Sequence, residues 1–318
     1  MLRSLVAAEL PFPGWDPVAF HLGPLPVRWY GLGYLAGFLI AGWVLDKLGR
    51  DGFVPLDKGA VSDLIGWLVG GVLVGGRLGY ALIYDRRLLI NPLALLQIWK
   101  GGLSFHGGLL GVVLFTGWFA RRRGMTWRRL ADALALAVPF GIFLVRCANF
   151  VNGELYGRLA PGLPWGVRFP TDPMARVLAP ELSQSGSLRW HEVYERLVAG
   201  GAWPAIAAQI PLRHPSQLYE ALLEGALIAV VLWALYLRRG RARDREGGLA
   251  ALFLLLYALA RFGVEFTRQP DAQLGLVLGP LSMGQVLSLV VAGGAALLYW
   301  WPRRRTDTFV PEPPAAPL

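Results

Sequence analysis

Long apolar runs separated by short arginine-rich stretches organise this chain of 318 residues. About 20 consecutive apolar residues suffice for a helix to cross a bilayer. Seven segments meet that expectation, at 28–46, 61–83, 103–120, 130–146, 215–237, 248–266 and 282–301. Charge enters these runs near Arg77, Arg146 and Arg261, where their limits are least sharp. Composition agrees with the pattern. The chain is 55% hydrophobic and 16% charged, with a mean hydropathy of +0.46, whereas soluble domains carry about 25% charged residues. The pattern predicts an all-α membrane protein with seven transmembrane helices.

The formal net charge is +10. In a soluble protein this balance would suggest nucleic acid, but here the basic residues sit in short loops between apolar segments. Lys47, Arg50 and Lys58 follow the first segment, and Arg121, Arg122, Arg123, Arg128 and Arg129 the third. Arg238, Arg239, Arg241, Arg243 and Arg245 follow the fifth, and Arg303, Arg304 and Arg305 the seventh. All four clusters fall on one side if each segment crosses once. The positive-inside rule makes that side cytoplasmic, with the N-terminus outside and the C-terminus inside. No nucleic-acid partner is expected.

Four regions follow. Residues 1–146 hold the first four transmembrane helices, with an interfacial arm at 84–102 whose apolar run 93–99 is too short to span. Residues 147–213 form a small extracytoplasmic head domain, rich in proline and glycine at first and helical over 190–197. Residues 214–302 hold the last three helices, and 303–318 form a cytoplasmic tail that is proline-rich from residue 309. Residues 1–10 do not read as a signal peptide. The single cysteine, Cys147, permits no internal disulfide and no cysteine-based metal site, and it reads as a buried filler. His21 and His191 read as surface residues.

With this orientation, polar groups from six of the seven segments collect at one depth. They are Arg28, Trp29 and Tyr30; Arg77 and Tyr80; Ser104 and His106; Arg146 and Asn149; His214, Gln217 and Glu220; and Tyr257, Arg261, Glu265 and Arg268. Ionisable residues near a bilayer are costly unless paired or functional. Together they describe a polar cavity in the outer leaflet, of a size to hold a phospholipid headgroup. Arg261, Glu265 and Arg268 are spaced four and three apart, which on a helix gives one face, so Glu265 is expected to hold both arginines. Arginine suits a phosphate because its planar fork binds two oxygens at once.

The densest polar string is Arg146-Cys147-Ala148-Asn149-Phe150-Val151-Asn152-Gly153-Glu154-Leu155-Tyr156-Gly157. Here the chain resembles the phosphatidylglycerol–prolipoprotein diacylglyceryl transferases of bacterial inner membranes, whose signature reads G-R-x-G-N-F-x-N-x-E-x-x-G. Arg146, Asn149, Phe150, Asn152, Glu154 and Gly157 match; Val145 and Ala148 stand where the signature has glycine. Further blocks that resemble the family are Trp29-Tyr30-Gly31, Gly76-Arg77-Leu78-Gly79-Tyr80 and Ser104-Phe105-His106-Gly107-Gly108. Two more are His214-Pro215-Ser216-Gln217-Leu218-Tyr219-Glu220 and the stretch from Arg261-Phe262 to Pro270-Asp271. The likeness covers about residues 28–300 in the family's order, and is weakest at 175–203.

The resemblance implies transfer of the diacylglyceryl group of phosphatidylglycerol to the lipobox cysteine thiol of preprolipoproteins. The products are a thioether and glycerol phosphate, and no cofactor or metal is implied. It implies catalytic roles for His106, Arg146 and Arg261. For His106 two roles stand side by side, general base for the substrate thiol or a hydrogen-bonding residue of the headgroup pocket. Arg146 and Arg261 are expected to stabilise charge on the leaving phosphate, or to form structural pairs, Arg146 with Glu154 and Arg261 with Glu265. Substrate-binding candidates are Tyr30, Arg77, Tyr80, Asn149, Asn152, Glu154, Gly157, Gln217, Glu265 and Arg268. A phospholipid transporter is the alternative class, since it too needs a headgroup cavity, but repeated halves and midplane breaks are not seen. A retinal receptor lacks its lysine in the seventh segment, and an intramembrane serine protease lacks a glycine-framed serine.

Overall fold

The computed structural model describes residues 9–98, 101–184, 186–238, 246–269 and 276–301. The tail at 303–318, the arginines at 239–245, Lys100 and the Pro270-Asp271 pair lie outside the described residues. The chain opens with the hairpin β1 (Val18–Leu22) and β2 (Leu25–Arg28), followed by helices α1 (Trp29–Arg50) and α2 (Lys58–Ile83). A 3-10 turn (Arg86–Ile90), α3 (Pro92–Leu96), α4 (Phe105–Arg122) and α5 (Trp127–Val151) come next. Short helices α6 (Pro173–Leu178), α7 (Glu181–Gln184), α8 (Gly186–Ala199) and α9 (Trp203–Ala207) follow. Then α10 (Ser216–Glu220), a π-helical stretch (Ala221–Leu227) and α11 (Ile228–Arg238) make one continuous helix, Ser216–Arg238. The chain closes with α12 (Gly248–Val264), the hairpin β3 (Leu276–Leu278) and β4 (Leu281–Ser282), and α13 (Met283–Trp300).

Among the described residues five helices are long and apolar enough to cross a membrane: α1, α2, α5, Ser216–Arg238 and α13, with α12 a shorter apolar helix. Their outer faces are themselves apolar. On α1, Leu39 is 66% and Trp43 60% exposed while Leu45 and Leu48 are fully buried, an arrangement that needs lipid rather than water around it. The two hairpins were not expected. Each is a two- to five-residue strand pair leading into a long helix, too short to announce itself by alternation.

The chain divides into two compact units. Of the described residues, the first comprises those within 9–37, 138–231 and 252–297, and the second those within 38–137, 232–251 and 298–301. In the second unit, glycines let α2 and α4 touch backbone to backbone. A Cβ on Gly79 would stand 2.6 Å from the Gly107 Cα, and one on Gly75 2.9 Å from the Gly111 Cα, which is the small-residue packing of membrane helices. Asp132, 2% exposed, accepts from the Gly247 and Ala250 amides at 2.7 and 2.8 Å and so satisfies orphan donors at the start of α12.

In the first unit a small core forms from Phe12, Val167, Phe169, Ala175, Trp190, Val193, Tyr194 and Ile210. The extended segment before β1 is strapped onto it: Leu10 N donates to Gly166 O at 3.1 Å, and Glu9 pairs with Arg168 at 2.8 Å. That guanidinium holds the Glu9 carboxyl below its ordinary range. His191 is 4% exposed, with Nε2 2.7 Å from Gly14 O, so it is a buried anchor of this strap and not a surface residue. Asp172, 1% exposed, accepts from Arg213 Nε at 2.7 Å and ties α6 to the strand-like segment before α10.

Candidate active site

α5 runs to Val151, so Arg146 and Asn149 are helical and the chain leaves the helix later than the apolar run suggests. The reason lies in their partners. Arg146, Asn149 and Asn152 are three apart and share a face. Asn149 Nδ2 donates to Glu154 Oε1 at 2.8 Å, and Asn152 Nδ2 donates to the same oxygen at 3.2 Å. Gly153 ends the helix with φ 64°, the left-handed residue that glycine supplies without strain. Gly157 is required by a close approach. Its N–H donates to His214 O at 2.8 Å, and a Cβ there would collide with Thr267 O and lie 2.8 Å from the His214 Cβ. Burial holds the His214 imidazole below its ordinary pKa.

The helix Ser216–Arg238 brings the countercharge. Ser216, Gln217, Glu220 and Glu224 are all fully buried. Glu220 Oε2 lies 2.8 Å from Arg146 Nη2, and its other oxygen lies 3.0 Å from Arg268 Nη1. Arg261 Nη1 lies 2.6 Å from Glu265 Oε2, whose Oε1 accepts from Ser282 Oγ at 2.8 Å. Gly284 leaves room for that carboxylate, since a Cβ there would stand 2.6 Å from it. Neither oxygen of Glu224 has a hydrogen-bond partner among the described residues, and Arg146, Arg261, Arg268 and Glu220 all act on it electrostatically.

Exposure sorts these charges. The carboxylates of Glu220 and Glu265 are 0% and 6% exposed, whereas the side chains of Arg146, Arg261 and Arg268 are 22%, 16% and 17% exposed. The acids thus stand behind the guanidiniums, and the donors face outward. Each guanidinium has five N–H groups and keeps donors beyond those used on its carboxylate. Such an array is suited to an anionic oxygen cluster in a partly dry setting. Among the described residues no group of three or more His, Cys, Asp and Glu is arranged to hold a metal ion.

The family model described as prolipoprotein diacylglyceryl transferase matches residues 17–301. The chain belongs to this family. Relatives named phosphatidylglycerol–prolipoprotein diacylglyceryl transferase include a Rhizobium meliloti protein, 44% identical over 90% of this chain and 91% of its own length. A Solidesulfovibrio magneticus protein is 46% identical over 88% and 91%, and one from Azospirillum brasilense 42% identical over 87% and 91%.

Within this diacylglyceryl transferase chain, the first unit holds Tyr30, Arg146, Asn149, Asn152, Glu154, Gly157, Gln217, Arg261, Glu265 and Arg268. Two expected pairings are different from those seen. Arg146 pairs with Glu220 and not Glu154, which instead takes the two asparagine amides. α12 ends at Val264, so Arg268 leaves the helical face of Arg261 and Glu265 and pairs with Glu220. Tyr30 Oη lies 3.2 Å from Tyr34 Oη. Gln217 donates to the Glu154 carbonyl at 2.5 Å. Cys147 is half-buried and not the fully buried filler expected.

The second unit holds Arg77, Tyr80 and His106. Arg77, 7% exposed, donates from every guanidinium nitrogen to main-chain carbonyls. Nε reaches Leu95 O at 2.8 Å, Nη1 Gly101 O at 2.6 Å and Nη2 Ala94 O at 2.7 Å. It clamps the carbonyls of residues 94, 95, 97, 101 and 102. Tyr80 stacks on Tyr84, ring centroids 5.4 Å apart. His106 is exposed in the first turn of α4, which Ser104 caps by accepting from Gly107 N at 3.3 Å. Sequence reasoning placed Glu220 in the polar layer without giving it a role, and left Glu224 and Ser282 out altogether. The signal for both acids was present: two glutamates four apart in an otherwise apolar helix lie on one face and, at membrane depth, call for a function.

Proposed function

We propose that this chain transfers the diacylglyceryl group of phosphatidylglycerol to the lipobox cysteine thiol of preprolipoproteins, at the outer leaflet of a bacterial cytoplasmic membrane. The observation that carries the reading is the set of three arginines backed by buried glutamates, in a chain that belongs to the diacylglyceryl transferase family. The substrate sulfur attacks the diacylglyceryl carbon bonded to phosphate oxygen. The C–S bond forms, the C–O bond breaks, and glycerol phosphate leaves with the electron pair. Arg146 and Arg261 stabilise the charge that grows on the phosphate, an effect that is strongest where donors are fixed in advance and water is scarce. Asn149, Asn152 and Glu154 shape the headgroup side of the site, and Arg268 completes the cationic surface.

A free thiol has a pKa near 8.5, so only a few per cent is thiolate at neutral pH. His106 serves as the base that takes the thiol proton. Seven membrane-spanning helices, the orientation with basic loops inside, and a head domain outside complete the proposal. The test is purified enzyme with phosphatidylglycerol and a lipobox peptide, read by mass spectrometry. A diacylglyceryl thioether on the peptide together with free glycerol phosphate is the expected result. Lipid moved between leaflets with the peptide unmodified would point to a transporter instead.

A further inference from the structure

Among the described residues Leu155 is the one non-glycine residue with positive φ, at 59°. Left-handed backbone crowds a Cβ against the following carbonyl, so a leucine keeps it only where its surroundings hold it there. Two side chains do so. Ser216 Oγ donates to the Leu155 carbonyl at 2.9 Å, and Gln217 Nε2 donates to the Glu154 carbonyl at 2.5 Å. Both are fully buried and open α10, one turn before Glu220. The turn they grip presents the Glu154 carboxylate to the amides of Asn149 and Asn152, and Asn149 Oδ1 in turn faces Arg146 Nη1 at 3.5 Å. One helix therefore acts on Arg146 twice, directly through Glu220 and again through the turn.

We propose that Ser216 and Gln217 are positioning residues that lock the Glu154–Leu155 turn and so orient the Arg146 guanidinium for the donor phosphate. The proposal rests on the transferase reading for what the arginine does, and on the described geometry alone for the lock. Without the Ser216 hydroxyl, Leu155 relaxes out of the left-handed region. Glu154 then loses its registry with the two asparagines, and one side of Arg146 is no longer defined. A glycine at 155 adopts the same backbone angle without strain, so it holds the turn even where the lock is absent.

The experiment compares Ser216→Ala, Ser216→Thr, Leu155→Gly and the Ser216→Ala/Leu155→Gly pair in full-length enzyme. Ser216→Ala is expected to lower kcat on the order of 10-fold, the factor set by the cost of an unsupported left-handed residue, with little change in KM for phosphatidylglycerol. Ser216→Thr, which keeps the hydroxyl, is expected to keep the rate. Leu155→Gly alone is expected to stay near wild type, and the double variant to return to the Leu155→Gly rate. Hydrogen exchange supplies a readout independent of catalysis. The Glu154 and Gly157 amides, bonded to Asn149 O and His214 O, are expected to exchange faster in Ser216→Ala and to recover protection in the double variant. An equal fold-loss from Ser216→Ala in both backgrounds, or unchanged exchange at 154 and 157, overturns the lock. A wild-type enzyme that transfers nothing from phosphatidylglycerol sinks the function proposed above instead, and the exchange measurement still decides the lock.

Discussion

Arg146 Nη2 lies 2.8 Å from a Glu220 carboxylate that is wholly buried, while the arginine itself stays partly open. The second Glu220 oxygen holds Arg268 at 3.0 Å, so one acid carries two arginines. Removing one partner of a buried ion pair strands the other charge, at a cost of about 3–5 kcal/mol. Glu220→Ala is therefore expected to lower the unfolding temperature in detergent by many degrees and to abolish transfer. Glu220→Gln, which keeps the shape and one acceptor, is expected to fold with a smaller thermal loss and to remain strongly impaired. Glu220→Gln with wild-type turnover would show that the pair does not set the arginines.

Arg146→Ala and Arg261→Ala are each expected to lower transfer on the order of 100- to 1000-fold, the loss seen when one strong donor to developing charge is removed. Lysine at either position is expected to recover only part of this, because it keeps the charge but not the planar fork. The comparison requires variants that insert and melt like wild type. Near-normal rates in well-folded alanine variants would take both residues out of the reaction.

The helices were legible because apolar runs of bilayer length are rare in any other setting; α2 and α13 begin and end within a few residues of their expected limits. Ends marked by charge were less legible. α5 continues past Arg146 because its polar residues find partners on the turn that follows, which no local pattern displays. The members of the site could be read as residue types, but not their pairing. Sequence neighbours made Glu154 the natural partner of Arg146, and helical spacing made Glu265 the partner of Arg268, yet the fold gives both arginines to Glu220 on a different helix. Arg77, too, could be read as a residue type but not by its partners. Its hydrogen bonds to five backbone carbonyls come from residues 17 to 25 positions further along the chain, a spacing that no local pattern displays.

The orientation rests on the basic loops and can be read by labelling. In a Cys147→Ala background, cysteine at Arg122, beside the α4–α5 turn, is expected to resist a membrane-impermeant maleimide in intact cells and to react after permeabilisation. Cysteine at Val177, 72% exposed on α6, is expected to react without it. The opposite labelling would invert the topology and move the arginine set to the cytoplasmic leaflet.

His106→Gln keeps a hydrogen-bonding side chain of similar reach but cannot take a proton at neutral pH, which makes it the variant that separates the two roles of this residue. It is expected to insert, to bind phosphatidylglycerol, and to transfer slowly at pH 7. If His106 removes the thiol proton, the deficit shrinks as the substrate ionises by itself. The thiolate fraction rises roughly 10-fold per pH unit below a thiol pKa near 8.5 and then levels off. The ratio of wild-type to variant rate is therefore expected to fall steadily between about pH 6 and 9, the variant gaining on the wild type with each step. A residue that only positions the headgroup would leave that ratio constant, because its hydrogen bond does not depend on the charge of the nucleophile. Profiles of kcat/KM for the lipobox peptide, measured at saturating phosphatidylglycerol, give the ratio directly, and parallel curves would rule out the base.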